Sequence, residues 1–150
     1  MYTAKTENGK VTQISVQQMN TEKEFIITGK VFVDATGDGM LADLVGADTV
    51  IGREGKDVYG EQYAPDVSDH YTMGNSLMFH ATDKGHPVPF VCPAWVKKYT
   101  EEDLKRRDHR ELTSGYWWIE LGGSKLSTID DAEELRDELL KALYGVWDHI

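Results

Sequence analysis

The sequence predicts a mixed α+β fold: a β-meander, a strand–turn–helix unit, then part of an antiparallel sheet with helices. Three observations carry this reading. Asn8-Gly9 sits between two strand-like runs. The apolar run Val31-Phe32-Val33 leads through Gly37-Asp38-Gly39 into a short helical pattern. An aromatic strand pattern, Tyr116 to Leu121, precedes helical spacing that lasts to Ile150.

Asn8 and Gly9 both tolerate positive φ, as a two-residue hairpin requires. They follow Tyr2 to Thr6 and precede Val11 to Gln17, where Ile14 and Val16 alternate with polar residues. A second turn, Asn20 to Lys23, leads into Phe25 to Thr28. The stretch Val31 to Thr36 starts apolar on both faces, as a strand covered on two sides should. Met40 to Val45 is helical in pattern, and Gly46 suits the left-handed residue that ends a helix.

Residues 48 to 71 read as a long ordered loop, with Gly52, Gly55, Gly60 and Pro65. Met73 to Ala81 comes next as a strand, then a turn at Asp83-Lys84-Gly85 and three prolines. Thr100 with Asp103 predicts a capping-box start to a charged surface helix through about Glu111. Within the strand Tyr116 to Leu121, Tyr116, Trp118 and Glu120 share one face; Trp117, Ile119 and Leu121 share the other. The last helix starts near Thr128, with Asp130, Asp131, Glu133 and Glu134 at its positive end. Leu135, Leu139, Leu143, Val146, Trp147 and Ile150 keep helical spacing with no stop signal behind them. The chain also opens almost inside a strand, so both ends read as cut from something longer.

Composition narrows the function classes. The 150 residues are 40% hydrophobic and 10% aromatic, enough for a packed core and against intrinsic disorder. A net charge of -10 repels a phosphate backbone, which excludes nucleic acid as a partner. No apolar run approaches the roughly 18 residues of a membrane span, so no membrane partner is expected. The chain reads as soluble and by default cytoplasmic; a leader in a longer parent protein is compatible with it. The single cysteine, Cys92, shows no base beside it in sequence and reads as an inert thiol. His70, His80, His86, His109 and His149 form no pair at ligand spacing, so no metal site is expected.

Gly37-x-Gly39-x-x-Ala42, after a strand and before a helix, satisfies the letter of a dinucleotide fingerprint. Glycines allow a tight turn and close ligand approach, and a helix N-terminus offers amides and a positive dipole end. Two features depart from a first nucleotide-binding turn. Asp38 would face a pyrophosphate with a negative charge, and residues 48 to 60 lack a second strand ending in a ribose-binding acid. Asp38 is better suited to accept hydrogen bonds from the hydroxyls of a polyol chain. A flavin carries such a chain, the ribityl arm.

Val31-Phe32-Val33-Asp34-Ala35-Thr36-Gly37-Asp38-Gly39 resembles the second flavin motif of the glutathione-reductase-like and succinate-dehydrogenase-like FAD oxidoreductases. A wider likeness is to the bacterial FAD-dependent oxidoreductases sometimes labelled xanthan lyase-like. It runs through Asp34 to Gly39, Gly52-Arg53-Glu54-Gly55, Tyr59-Gly60-Glu61, Met73-Gly74 and Tyr116 to Gly123. The resemblance implies that residues 1–50 are the C-terminal part of an FAD-binding domain and residues 51–150 a partial substrate or cap domain. It implies that Thr36, Gly37, Asp38 and Gly39 line the ribityl and phosphate region, with Asp38 the direct acceptor. It implies a small-molecule substrate and an N-terminal dinucleotide-binding part, which is missing here. FAD is therefore expected in the full-length parent and not on this fragment.

Three residues are candidates for chemistry. Arg53, beside Glu54 in the glycine-spaced loop, could steer an anionic substrate or pair with the flavin, or simply pair in solvent with Glu54. His80 ends a strand and is a candidate acid or base. Glu120, next to Trp118 on one face, is a candidate buried acid. Trp117, Trp118 and Trp147 are most simply packing residues. Beside the oxidoreductase reading stand two others: an independent nucleotide-binding module using Gly37 to Ala42, and a non-catalytic scaffold that self-associates through exposed strands.

Overall fold

A computed structural model describes residues 1–109, 111–113 and 117–150. It is a mixed α+β structure with two small antiparallel sheets and helices, as the sequence predicts. The chain divides into two compact units, Met1–Ile51 and Gly52–Ile150.

In the first unit, β1 (Thr3–Glu7), β2 (Lys10–Gln17) and β3 (Glu24–Thr28) form an antiparallel sheet in the order β1-β2-β3. The hairpin turn falls at Asn8 and Gly9, both at positive φ, which matches the twist of the strands it joins. Ile14 lies opposite Ala4 on one side and Ile27 on the other, and Val16 lies opposite Phe25. Such cross-strand pairs stabilise a sheet locally. The helix α1 (Met40–Leu44) packs against β1 and buries Leu41.

The expected strand at Val31 to Thr36 does not form. The segment joins no ladder, and Val31 and Val33 are 81% and 84% exposed. A central strand needs neighbours for its N–H and C=O groups, and within this unit β3 pairs only with β2.

Asp34 holds the turn that leads into α1. Its Oδ1 accepts hydrogen bonds from the Thr36 backbone N (3.0 Å) and from Thr36 Oγ1 (2.7 Å). Its Oδ2 accepts from the amides of Leu41 (2.9 Å) and Ala42 (3.2 Å). Thr36 Oγ1 in turn accepts from the Met40 amide at 2.8 Å. Together these satisfy the first amides of α1, which a helix leaves without internal partners. The expectation that this helix end offers open amides to a ligand is thereby corrected. Gly37 and Gly39 let the chain double back, at φ of 90° and 68°. A Cβ on either would touch nothing within 4 Å, so glycine is needed here for backbone angle and not for space.

In the second unit, residues 52–69 are a loop pinned to itself. Arg53 and Asp69 exchange backbone hydrogen bonds, both 3.0 Å, and Gly55 N donates to Ser68 Oγ at 2.7 Å. A one-turn helix, α2 (Lys56–Tyr59), lies between and ends on Gly60 in the left-handed conformation. The core is built by β4 (Asn75–Phe79) and β5 (Trp117–Leu121), paired antiparallel, with α3 (Ala132–His149) packed on them. Trp117 stacks on Phe79 at 5.8 Å, and Trp147 meets Phe79 edge-on at 5.7 Å. Leu135, Leu139, Ala142 and Val146 form the buried stripe of α3; of the positions read from the sequence, Leu143 and Ile150 are only half-buried and Trp147 is exposed, and Ala142 takes a place in the stripe that the reading did not give it. Gly115 and Tyr116, the expected start of the aromatic strand, lie outside the described residues.

Two helical expectations change. The last helix begins four residues after Thr128, because residues 128–131 form a capping turn: Ser127 N donates to Asp131 Oδ2 (2.7 Å), and Ser127 Oγ accepts from Asp130 N (3.0 Å). The charged segment from Thr100 makes its capping pair, with Thr100 N donating to Asp103 Oδ2 (2.8 Å), but residues 101–107 run as turns. With Leu104 as its single large apolar residue, the segment has no stripe to bury, and short helices without one are marginal in water.

The hydrogen bonds from Thr36, with those from Ala42 and Leu41, hold the Asp34 carboxyl below its ordinary range. A lowered folded pKa stabilises above the unfolded value of about 3.9 and is lost as pH falls through the folded one. Amide shifts of Leu41 and Ala42 should therefore move on acidification below about pH 4 in NMR titrations, and in Asp34→Asn this step should vanish. Packing in the second unit makes a separate prediction. Gly145→Ala should lower stability by about 1 kcal/mol or more in urea unfolding, because overpacking against fixed backbone costs about 1–3 kcal/mol. The helix-propensity gain of about 1 kcal/mol is outweighed, since the new Cβ would sit 1.8 Å from the Lys97 carbonyl oxygen.

Candidate functional site

The turn Thr36–Gly39 is a rigid, exposed loop with its shape set from within. Thr36 is committed on both sides, donating to Asp34 and accepting from Met40. Asp38 at the apex is exposed, and among the described residues no side-chain hydrogen bond or ion pair engages its carboxylate. An open anionic acceptor between two glycines fits a hydroxyl-bearing chain such as a flavin's ribityl arm. It does not fit a pyrophosphate: the charge is wrong, and the amides of Met40, Leu41 and Ala42 are already taken. Asp34 is the residue that sequence reasoning missed. The signal was present as Asp34-x-Thr36 before a glycine, a pattern in which an aspartate side chain organises the amides downstream.

In the second unit, Arg53 pairs with Asp69 and not with its sequence neighbour Glu54. Its Nε lies 3.1 Å from Asp69 Oδ1, its Nη2 lies 2.5 Å from Oδ2, and its guanidinium lies over the Tyr71 ring at 5.4 Å. The hydrogen bond to Asp69 raises the Arg53 pKa, and the same contact, helped by the Tyr71 amide, lowers that of Asp69. Gly52 permits the crossing, since a Cβ there would stand 2.0 Å from the Asp69 carbonyl oxygen. This bidentate pair fastens the loop; an arginine so occupied is not an idle cation awaiting a substrate.

Glu120 is exposed, not buried, and its Oε1 accepts the Gly74 amide at 2.9 Å, tying the chain just before β4 to the end of β5. His80 is exposed one residue beyond β4. Among the described residues, Arg53, His80 and Glu120 line neither of two clefts in this unit. These clefts, of about 390 Å³ and 270 Å³, are lined by other residues, among them Glu101, Arg107 and His109 for the first and Lys97, Tyr99 and Glu138 for the second.

The fold does assemble two groups that spacing concealed. Lys98 Nζ lies 2.9 Å from Cys92 Sγ and 2.6 Å from Asp148 Oδ2, so the thiol has a cation beside it after all. Asp148 first and Cys92 second raise the Lys98 pKa, and Lys98 lowers that of Asp148. Glu101, His109 and His149 also converge: His149 Nε2 is 3.1 Å from Glu101 Oε1, and the two imidazoles meet edge to face at 5.5 Å. Forty residues separate those histidines in sequence, so no local pattern could have paired them.

Among the described residues no helix is long and apolar enough to cross a membrane. No curated protein and no solved structure matches the chain. The family model described as FAD dependent oxidoreductase matches residues 1–150, so the chain belongs to that family, whose cofactor is FAD.

Proposed function

We propose that this chain supplies the second flavin-contacting turn of an FAD-dependent oxidoreductase acting on a small molecule, and that Thr36, Gly37, Asp38 and Gly39 line the ribityl arm. The observation that carries this reading is the uncommitted Asp38 carboxylate, held at the apex of a turn that Asp34 and Thr36 keep rigid. Bound flavin supplies the hydride or electron transfer itself. The protein's part at this turn is to accept hydroxyl hydrogen bonds and fix the arm's position. Preorganisation favours that role, because the turn loses little freedom when a ligand arrives.

The apolar run Val31-Phe32-Val33, with both valines exposed and no ladder among the described residues, supports a neighbouring strand in a complete flavin domain. The committed amides of α1 favour this reading over an independent nucleotide-binding module, which would need those amides for phosphate. They also argue that the chain alone holds FAD poorly and is inactive by itself. Residues 51–150 would contribute substrate-domain surface, with Arg53 and Glu120 as structural fasteners of that surface.

Equilibrium dialysis of the purified chain against FAD tests this. A dissociation constant near 1 mM or weaker is expected, equivalent to only about -4 kcal/mol; FAD retained at near-unit stoichiometry would overturn the reading. The sign of the Asp38→Ala effect, read from amide shifts of residues 36–39 at high FAD concentration, tests the role of the carboxylate. Loss of a hydroxyl acceptor should weaken binding about three- to tenfold. Tighter binding would mean that Asp38 merely repels the phosphates.

A further inference from the structure

Glu101, His109 and His149 come together from three places in the second unit: a turn, a loop and the last turn of α3. One ligand atom from each lies within 4.8 Å of the other two. Neutral imidazole and carboxylate are the donors that zinc-class divalent ions select.

The three groups stand close enough to share an ion, and one contact, His149 Nε2 to Glu101 Oε1 at 3.1 Å, is also a hydrogen bond. His109 Nδ1 stands 3.9 Å from Glu101 Oε2, too far for a hydrogen bond. Two ligand atoms each about 2.0–2.1 Å from one zinc ion lie roughly 3.3 Å apart in a tetrahedral site, and up to about 4 Å if the angle opens. His149 Nε2 is 3.1 Å from one Glu101 oxygen and His109 Nδ1 is 3.9 Å from the other, so both imidazoles face the same carboxylate. All three ligand atoms lie within 4.8 Å of one another, and the Glu101 side chain, 82% exposed, can adjust toward the imidazoles.

The His109 side chain is only 17% exposed, and the nitrogen it turns toward Glu101 is Nδ1. The ring is wedged between the buried Trp117, at 5.9 Å, and His149. A plain Glu101–His149 ion pair would not explain why a second imidazole is buried beside it.

The surroundings support a cation. His149 sits in the last turn of α3, where the helix dipole favours positive charge. The Thr100–Asp103 capping pair fixes the turn that presents Glu101. Lys105 and Arg107 line the same cleft, but Lys105 is paired with Glu102 and the Arg107 guanidinium lies over Trp117 at 4.3 Å.

We propose that Glu101, His109 and His149 bind one divalent ion of the zinc class, clamping residues 101–109 to the C-terminal end of α3. Three protein ligands leave a fourth position for water, on the side of the cleft lined by Glu101 and His109.

Metal-stripped full-length chain, titrated with Zn²⁺ by calorimetry and with Co²⁺ by visible absorption, tests this. Expected are one zinc per chain with a dissociation constant below about 100 µM, a rise in melting temperature, and the Co²⁺ bands of a low-symmetry four-coordinate site. Glu101→Gln and His149→Gln should each weaken zinc at least tenfold and abolish the bands, while the control His86→Gln should change neither. His109→Ala borders the core and could unfold the unit, so the decisive variants are the other two. Zinc affinity unchanged in them, or a wild-type dissociation constant weaker than about 100 µM, would overturn the site.

Discussion

One carboxylate determines what the Thr36–Gly39 turn can do. Asp34 reaches forward over seven and eight residues to the amides of Leu41 and Ala42, while its other oxygen holds Thr36. A capping residue normally stands next to the helix it caps. Here the cap lies upstream of the glycines, so it closes the whole turn as a ring. That closure commits the helix dipole and amides to Asp34 and leaves Asp38 as the turn's outward-facing group. A turn built to hold phosphate would reverse this allocation, with open amides at the helix end and no acid at the apex. The hydrogen-bond pattern of five residues thus separates the two ligand chemistries more sharply than their glycine spacing does.

The second unit depends on a different constraint, close backbone approach. The Lys97 carbonyl lies where a side chain on Gly145 would be, and Lys97 N donates to the Lys141 carbonyl at 3.2 Å. The proline-rich stretch before it is thereby laid along α3, which brings Lys98 to Asp148 and Cys92. The same helix end carries His149 to Glu101. Packing set by one glycine on α3 therefore underlies both side-chain groups near its C-terminus.

What the sequence reveals, and what it conceals, divides by range. The Asn8-Gly9 hairpin, the β4 and β5 patterns and the Leu135, Leu139 and Val146 positions of the α3 stripe are local periodicities, and the structure obeys them. The charged stretch after Thr100 had the cap of a helix but no apolar face to bury, and burial decides where propensity is weak. Val31 to Val33 has the composition of a central strand, yet a strand exists only where a neighbour supplies its hydrogen bonds. The turn Thr36–Gly39 was legible because its glycines are nearly contiguous. The partner of Arg53 lies 16 residues away, and the two histidines beside Glu101 sit on separate segments; no one-dimensional pattern encodes such meetings. Glu120 looked like a buried acid from its tryptophan neighbours, but alternation put it on the same face as the exposed Trp118.

The distribution of polar commitments also bears on where chemistry can reside. Arg53, Glu120, Thr36 and Asp34 each engage named partners within the chain, and each holds backbone or loop in place. A side chain with its hydrogen bonds already made must break them to serve a ligand, and that loss offsets the new contact. Asp38 has no such bonds to break. An enzyme whose redox step belongs to its cofactor needs from this region position and not a proton relay, so a turn with one uncommitted acceptor on an internally saturated frame is sufficient.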